Sequence, residues 1–157
     1  MNTDGATKGN PGLAGGGGVV RDSRGRWING FSRNIGYATS MTAELWALRD
    51  GLNMAVSLNY QPLIVELDSS DVIAMLTSHT SFHHCNVLLN DCRWLLSRLQ
   101  IIEVRHVFRE GNQVADSLAN LGCLADSSFR SFVTPPSEIL PLLQFDCNRV
   151  GKTRLVT

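Results

Sequence analysis

The stretch Asn2-Thr3-Asp4-Gly5-Ala6-Thr7-Lys8-Gly9-Asn10-Pro11-Gly12 opens the chain and decides how the rest of it is arranged. It predicts a short strand that carries one carboxylate, a tight turn, and a second strand entered through the glycines at 15–18. A carboxylate buried in a compact domain must be paired, protonated or bound to a metal ion. Three further acids occur at comparable points of the chain, and we expect Asp4 to form one site with them.

The composition describes one domain with a substantial core, because the 157 residues are 43% hydrophobic. No apolar run approaches the roughly 18 residues of a membrane span, so we expect no membrane association. The cysteines contain no CxxC pair, which predicts reduced thiols and a nuclear or cytoplasmic location. The formal net charge of zero argues against a domain that grips nucleic acid mainly by bulk electrostatics.

Hydrophobic periodicity and turn residues give the element order β-β-β-α-β-α-α-β-α. The first three strands are joined by tight turns and form an antiparallel meander. The fourth and fifth strands, near residues 63–68 and 101–108, follow helices and are expected to be parallel. The sequence therefore predicts an α/β fold with a five-stranded mixed sheet flanked by about four helices.

The chain changes character after Asp126, where Ser127 and Ser128 begin a segment with three prolines. We expect residues 1–126 to form the domain. Residues 127–157 are expected to form a C-terminal extension that is partly packed or disordered.

Four acids stand where an α/β sheet places its sites, at strand ends and the helix starts beside them. The set comprises Asp4 in the first strand, Glu44 in the first helix, Asp68 ending the fourth strand and Asp116 in the last helix. Together they repel one another unless cations neutralise them. All-oxygen ligation suits Mg²⁺ or Mn²⁺, and two such ions about 4 Å apart can support phosphodiester cleavage.

Each acid taken alone also has a structural explanation. Asp68 after a strand is typical of a helix cap, and Glu44 of a partner for a helix dipole. Asp116 alone is typical of a solvated helix residue. Only the conjunction of the four favours a metal site.

The order of short motifs resembles the ribonuclease H family over about residues 2–125. The most specific stretch is His106-Val107-Phe108-Arg109-Glu110-Gly111-Asn112-Gln113-Val114-Ala115-Asp116-Ser117-Leu118-Ala119. It is joined by Thr3-Asp4-Gly5-Ala6, Ala43-Glu44-Leu45 and Glu66-Leu67-Asp68-Ser69. The chain looks most like plant ribonuclease H-like domains, which occur alone or at the end of retroelement (retrotransposon) reverse transcriptases.

The resemblance implies roles for particular positions. His106 matches a mobile histidine that aids proton transfer or product release, although a strand-end histidine bonded to the backbone is the alternative. Asn112 matches an asparagine that supports the site. The family's four metal-binding acids, which hold two ions, match Asp4, Glu44, Asp68 and Asp116.

The turn Thr7-Lys8-Gly9-Asn10 matches the place where the family touches the RNA strand. The amide of Asn10 suits a 2′-hydroxyl, although an asparagine before Pro-Gly equally suits turn geometry. Ser40 and Ser69, beside the matched acids, are further candidates for substrate binding. Ser40 and Met41 stand where bacterial members carry an asparagine pair, and the basic handle helix is absent, so affinity should be modest and salt-dependent.

Two other patterns in the sequence have alternative interpretations. The segment from His79 to Cys85, with Cys92, could suggest zinc, but its spacing fits no closed four-ligand pattern. Tryptophans could stack on bases, but Trp46 and Trp94 lie among helical leucines and are expected in the core.

These patterns favour an enzyme that hydrolyses the RNA strand of RNA–DNA hybrids. The alternative is a weakly active or inactive retroelement-derived domain that binds a hybrid or another nucleic acid duplex. A third hypothesis is a fold-completing piece of a larger polyprotein, because Met1 lies only three residues before Asp4 and leaves the first strand short. A chain that acts by itself is expected to be a monomer.

Overall fold

A computed structural model describes residues 1–78 and 85–145 of the chain. Two 3₁₀ turns, Arg109–Gly111 and Ser137–Ile139, accompany the helices and strands. The main elements are β1 Asn2–Gly9, β2 Gly12–Arg21, β3 Trp27–Ala38, α1 Ser40–Ser57, β4 Leu63–Leu67, α2 Ser70–Thr77, α3 Asn86–Ser97, β5 Ile101–His106, α4 Gln113–Cys123 and β6 Phe129–Phe132.

The sheet has the strand order β5-β4-β1-β2-β3-β6. Strands β1, β2 and β3 pair antiparallel, whereas β4 pairs parallel with both β1 and β5. The predicted mixed α/β sheet is therefore confirmed. The register aligns Asn2 with Glu66 across β1 and β4, which brings Asp4 near the carboxyl end of β4.

The structure has a sixth strand that the sequence analysis did not predict. Strand β6 pairs antiparallel with β3 from Gly30 opposite Phe132 to Arg33 opposite Phe129. Phe129 also stacks on Phe31, with ring centroids 5.8 Å apart. Four largely exposed residues carry a weak strand signal of their own, so β6 depends on the edge of β3 for its structure.

The first helix forms the main core on one face of the sheet. Thr39 caps α1 by accepting a hydrogen bond from the Thr42 backbone N–H at 3.2 Å. Leu45, Leu48 and Leu52 are fully buried in one cluster with residues of β4. Burial of each such leucine contributes about 1.5–3 kcal/mol, so this face anchors α1 firmly.

The last helix covers the opposite face of the sheet. Val114 and Leu118 of α4 pack with Val19 and Ile139 in a second, smaller cluster. A Cβ at Gly17 would lie 2.3 Å from the Ala119 backbone nitrogen, so only glycine allows α4 to approach β2 this closely. The position of α4, and of Asp116 on it, is thus fixed by backbone contact.

The prediction that Trp94 lies in the core is wrong. Its side chain is 58% exposed on α3, and the guanidinium carbon of Arg98 lies 4.9 Å from the ring centroid. The neighbouring Leu95 takes the buried position instead, at 3% exposure. Trp46 is half-buried beneath the Arg33 guanidinium.

Among the described residues, no helix is both long and apolar enough to cross a bilayer. The three described cysteines, Cys85, Cys92 and Cys123, are free thiols.

Candidate active site

A glycine brings the first two acids together. A Cβ at Gly5 would lie 2.3 Å from the Ala43 carbonyl carbon and from the Glu44 nitrogen, so β1 and the first turn of α1 touch through their backbones. This contact sets Glu44 beside Asp4. The side chain of Asp4 is buried, at 5% exposure, although it lies in a cleft.

Three carboxylates form a compact group, which we name the buried half of the site: Asp4, Glu44 and Asp68. Each offers an oxygen, and these oxygens all lie within 4.8 Å of one another. This all-oxygen donor set fits a hard divalent cation such as Mg²⁺ or Mn²⁺.

The electrostatics of the buried half favour an added positive charge. Burial, followed by the carboxylates of Glu44 and Asp68, raises the pKa of Asp4 to about 10. Burial, followed by the Asp68 carboxylate, raises the pKa of Glu44 to about 8, while hydrogen bonds with Asp4 and the Gly5 backbone act in the opposite direction. Without a cation, this group therefore retains protons at neutral pH.

The fourth acid lies apart from this group. Asp116, in the first turns of α4, is exposed and lines the same cleft of about 560 Å³. We name Asp116, His106 and Arg109 the exposed half of the site. The structure thus brings all four predicted acids to one cleft but clusters only three of them tightly.

His106 ends β5 at the edge of the site. Its Nε2 lies 3.2 Å from the Asp68 carbonyl oxygen, and the ring meets Phe108 edge-on with centroids 5.5 Å apart. A carbonyl only accepts, so Nε2 carries the proton in this contact. The alternative interpretation of His106, a strand-end histidine bonded to the backbone, is therefore consistent with this contact. The acceptor is the backbone carbonyl of Asp68, one of the four acids.

Asn112 immediately precedes α4 and is 1% exposed. Its side-chain amide donates to the Thr3 carbonyl oxygen at 3.1 Å and accepts from the Asn2 amide at 3.3 Å. These bonds fix the start of α4 to the residues flanking Asp4. Asn112 therefore lies between the two halves, and its supporting role stays a prediction.

The predicted substrate-binding residues lie at and beside the cleft. Thr7 and Ser40 line it. Asn10, at the exposed turn between β1 and β2, accepts from the Ser40 backbone N–H at 3.0 Å, which leaves its amide N–H groups for a ligand. Lys8 donates to the Asn120 side chain at 2.7 Å.

Ser69 has a structural role at the start of α2. Its hydroxyl oxygen caps α2 by accepting from the Val72 backbone N–H at 3.3 Å. Ser69 is not among the described residues that line the cleft, so the structure gives it no clear ligand contact.

The sequence analysis missed four polar residues that line the cleft: Arg109, Glu110, Gln113 and Asn120. Arg109 is the only lysine or arginine among the described residues that line the cleft, and its charge lowers the pKa of Glu44, opposing the larger effect of burial. The spacing of Gln113, Asp116 and Asn120 at three and four residues could have identified them as one helix face.

The zinc alternative receives no support from the described residues. Cys85 and Cys92 are buried thiols that contact Thr42 and the Leu45 carbonyl oxygen respectively. Among the described residues, the group of side chains with an arrangement that could hold a metal ion is the three-acid one. The segment 79–84, with the histidines, lies outside the described residues.

Comparison with known proteins places the chain in a family. A family model described as "Reverse transcriptase-like" matches residues 2–122. An Arabidopsis thaliana protein named "Putative ribonuclease H protein" is 39% identical over 155 residues, which cover 98% of this chain and 25% of that protein. The chain spans only about a quarter to a third of the curated relatives it matches.

Solved structures agree. The N-terminal RNase H domain of a Mycobacterium tuberculosis bifunctional protein superposes with a TM-score of 0.70 at 32% identity, covering 77% of this chain and 89% of that one. LC11-RNase H1 in complex with an RNA/DNA hybrid gives 0.67 at 26% identity, covering 76% and 91%. The chain therefore belongs to the reverse transcriptase-like family, as a plant-type ribonuclease H-like domain.

Proposed function

We propose that this chain is a metal-dependent endonuclease that hydrolyses the RNA strand of RNA–DNA hybrids. The observation that carries the proposal is the buried half of the site, where three carboxylates offer oxygens within 4.8 Å of one another in a cleft shared with Asp116. Family membership and a related RNase H1 solved with an RNA/DNA hybrid support the same activity.

The four acids would hold two Mg²⁺ or Mn²⁺ ions, with Asp4, Glu44 and Asp68 as the inner ligands and Asp116 completing the set. When bound, such ions make water a better nucleophile and stabilise the charge of the leaving oxygen. The raised pKa values of Asp4 and Glu44 support this proposal, because a cation relieves the repulsion that otherwise retains protons.

The other residues of the cleft position the substrate and move protons. His106, exposed beside Asp68, is suited to carry a proton to or from the reacting oxygens. The guanidinium group of Arg109 lines the cleft and would bind a phosphate of the scissile strand. Asn10 directs amide N–H groups outward, where a 2′-hydroxyl of RNA can accept them.

The test is cleavage of an end-labelled RNA–DNA hybrid, with and without Mg²⁺ or Mn²⁺, by the wild-type chain and Asp68→Asn. Asp71→Asn is the matched control, because Asp71 is an exposed acid in the first turn of α2. We expect metal-dependent cuts in the RNA strand that Asp68→Asn abolishes and Asp71→Asn retains. Undiminished cleavage by folded Asp68→Asn would refute the assignment.

A binding domain with little turnover is the second candidate. The net charge of zero and the presence of one arginine in the described cleft favour it, because few phosphate contacts are available. Hybrid affinity that is independent of metal ions, with no cutting at protein excess, would establish this function instead.

A further inference from the structure

Asn120, one turn after Asp116 on α4, joins two parts of the cleft. Its amide nitrogen lies 2.9 Å from the Asp116 carbonyl oxygen and 3.3 Å from the Asp116 carboxylate oxygen Oδ1. Its amide oxygen accepts from the Lys8 ammonium at 2.7 Å. Lys8 and Asn120 are 112 positions apart in sequence, so this bond connects the β1–β2 hairpin to the last helix.

The chemistry of the two partners fixes the orientation of the amide. An ammonium only donates, and a carboxylate or carbonyl oxygen only accepts. The amide oxygen must therefore face Lys8 and the amide nitrogen must face Asp116. Neither a hydroxyl of shorter reach nor a carboxylate could make both contacts in this arrangement.

Asp116 needs such a partner more than the other acids do. Asp4 is held by burial and by its neighbours in the buried half, whereas Asp116 is exposed and lies outside the group of three. A solvated aspartate on a helix samples several rotamers. The bond from Asn120 selects among them, because Asn120 itself is half-buried and tied to Lys8.

We propose that Asn120 is a positioning residue that orients the Asp116 carboxylate and couples it to Lys8, so that metal binding at Asp116 and phosphate contact at the hairpin depend on each other. This inference rests on the proposed function for the role of the metal. The side-chain amide of Asn120 alone would couple the two binding events. The ligands it concerns are a divalent cation at Asp116 and a phosphate of the RNA strand at Lys8.

The test measures Mn²⁺ binding to the chain without substrate, followed by binding to a hybrid in Ca²⁺. Asn120→Leu keeps the size of the side chain and removes its hydrogen bonds with Asp116 and Lys8, and Asn120→Gln keeps an amide. Asn53→Leu, at an exposed asparagine of α1, controls for the substitution itself. Thermal unfolding of each variant checks that α4 stays folded.

We expect Asn120→Leu to lower the affinity of the weaker of the two Mn²⁺ sites about tenfold. This is the low end of the loss in metal affinity that follows when a hydrogen-bond partner of a metal ligand is removed. Asn120→Gln should recover part of that loss, and Asn53→Leu should match the wild type. Cleavage by Asn120→Leu should need more Mg²⁺ for half-maximal rate but approach the wild-type rate at saturation. Lys8→Met and Asn120→Leu should weaken hybrid binding non-additively, because they break one connection.

Equal Mn²⁺ and hybrid affinities for Asn120→Leu and Asn53→Leu would overturn the inference, as would additive losses with Lys8→Met. A wild-type chain that binds Mn²⁺ but cuts no hybrid would refute the proposed function alone, since the Mn²⁺ titrations still decide the role of Asn120. A wild-type chain that binds no Mn²⁺ would refute both.

Discussion

The buried and exposed halves of the site place their acids by different physical means. Backbone contact at Gly5 and core packing of α1 set Asp4 and Glu44, so their positions belong to the fold. Asp116 is placed by the close approach of α4 to β2 and oriented by one side-chain bond. The buried half is thus fixed by backbone contact but carries a cost of charge burial and repulsion, whereas the exposed half avoids that cost and depends on a single side-chain hydrogen bond for the orientation of its acid.

The sharpest test of this contrast compares Asp4→Asn with Asp116→Asn in hybrid cleavage. We expect Asp4→Asn to lower the rate about 10³-fold, the upper range for lost electrostatic stabilisers. Asp116→Asn should cost about tenfold, because water can replace an exposed ligand. Rate constants at saturating Mg²⁺ measure both, and equal losses would contradict the division into halves.

The second test breaks the backbone contact of the buried half. Gly5→Ala forces a Cβ to within 2.3 Å of α1 backbone atoms and should lower the free energy of unfolding by about 3 kcal/mol. Gly111→Ala, two residues after Arg109 of the exposed half, meets no atom within 4 Å and should change the free energy of unfolding by less than about 0.5 kcal/mol. Urea denaturation compares them. A tolerated Gly5→Ala would mean that β1 and α1 can separate.

The third test uses pH. Because the pKa values of Asp4 and Glu44 are raised, the folded chain holds more protons than the unfolded chain from about pH 4 up to those values. The free energy of unfolding in chelator should therefore fall as pH rises, by about 3 kcal/mol between pH 6 and 8 for each proton that the folded chain retains over that range.

Two controls separate this effect from other titrations. Asp4→Asn should flatten the pH dependence and stabilise the chelated chain at pH 8, and Mg²⁺ should flatten it in the wild type. Parallel curves for wild type and Asp4→Asn would show that Asp4 does not hold the proton.

The smallest expected effect concerns the cation of the exposed half. Arg109→Gln should weaken hybrid binding a few-fold and reduce the salt dependence of log affinity by about one unit of slope, as expected for one phosphate contact. Arg24→Gln, in the exposed turn between β2 and β3, is the matched control. Fluorescence anisotropy at several salt concentrations measures both slopes, and identical slopes would remove Arg109 from the interface.

The sequence predicted the parts of the molecule that depend on local pattern. The element order predicted that the four acids would lie at one edge, because strand ends and helix starts converge there in any such sheet. The predicted roles of those acids stay predictions until the cleavage experiments are made.

Other features depend on contacts distant in sequence. Strand β6 forms only against the edge of β3. The hydrogen bond between Lys8 and Asn120 joins residues that are 112 positions apart in sequence. The prediction for Trp94 was wrong because leucines precede and follow it in α3, so the sequence pattern did not determine which face of the helix is buried. Long-range pairing and helix rotation are set by the whole fold.

Strand β6 also governs how the chain should be cut for expression. It occupies the outer edge of β3 at residues 30–33, and its own outward edge carries the charged Arg130. A chain trimmed after Asp126 would lose β6 and leave the backbone N–H and C=O groups of β3 at this edge unpaired, beside Phe31. An exposed apolar strand edge of this kind pairs with strands of other molecules. Such a trimmed chain should aggregate, whereas one that extends through Leu143 keeps both the strand and the residues that pack in the second core cluster, and should remain dispersed.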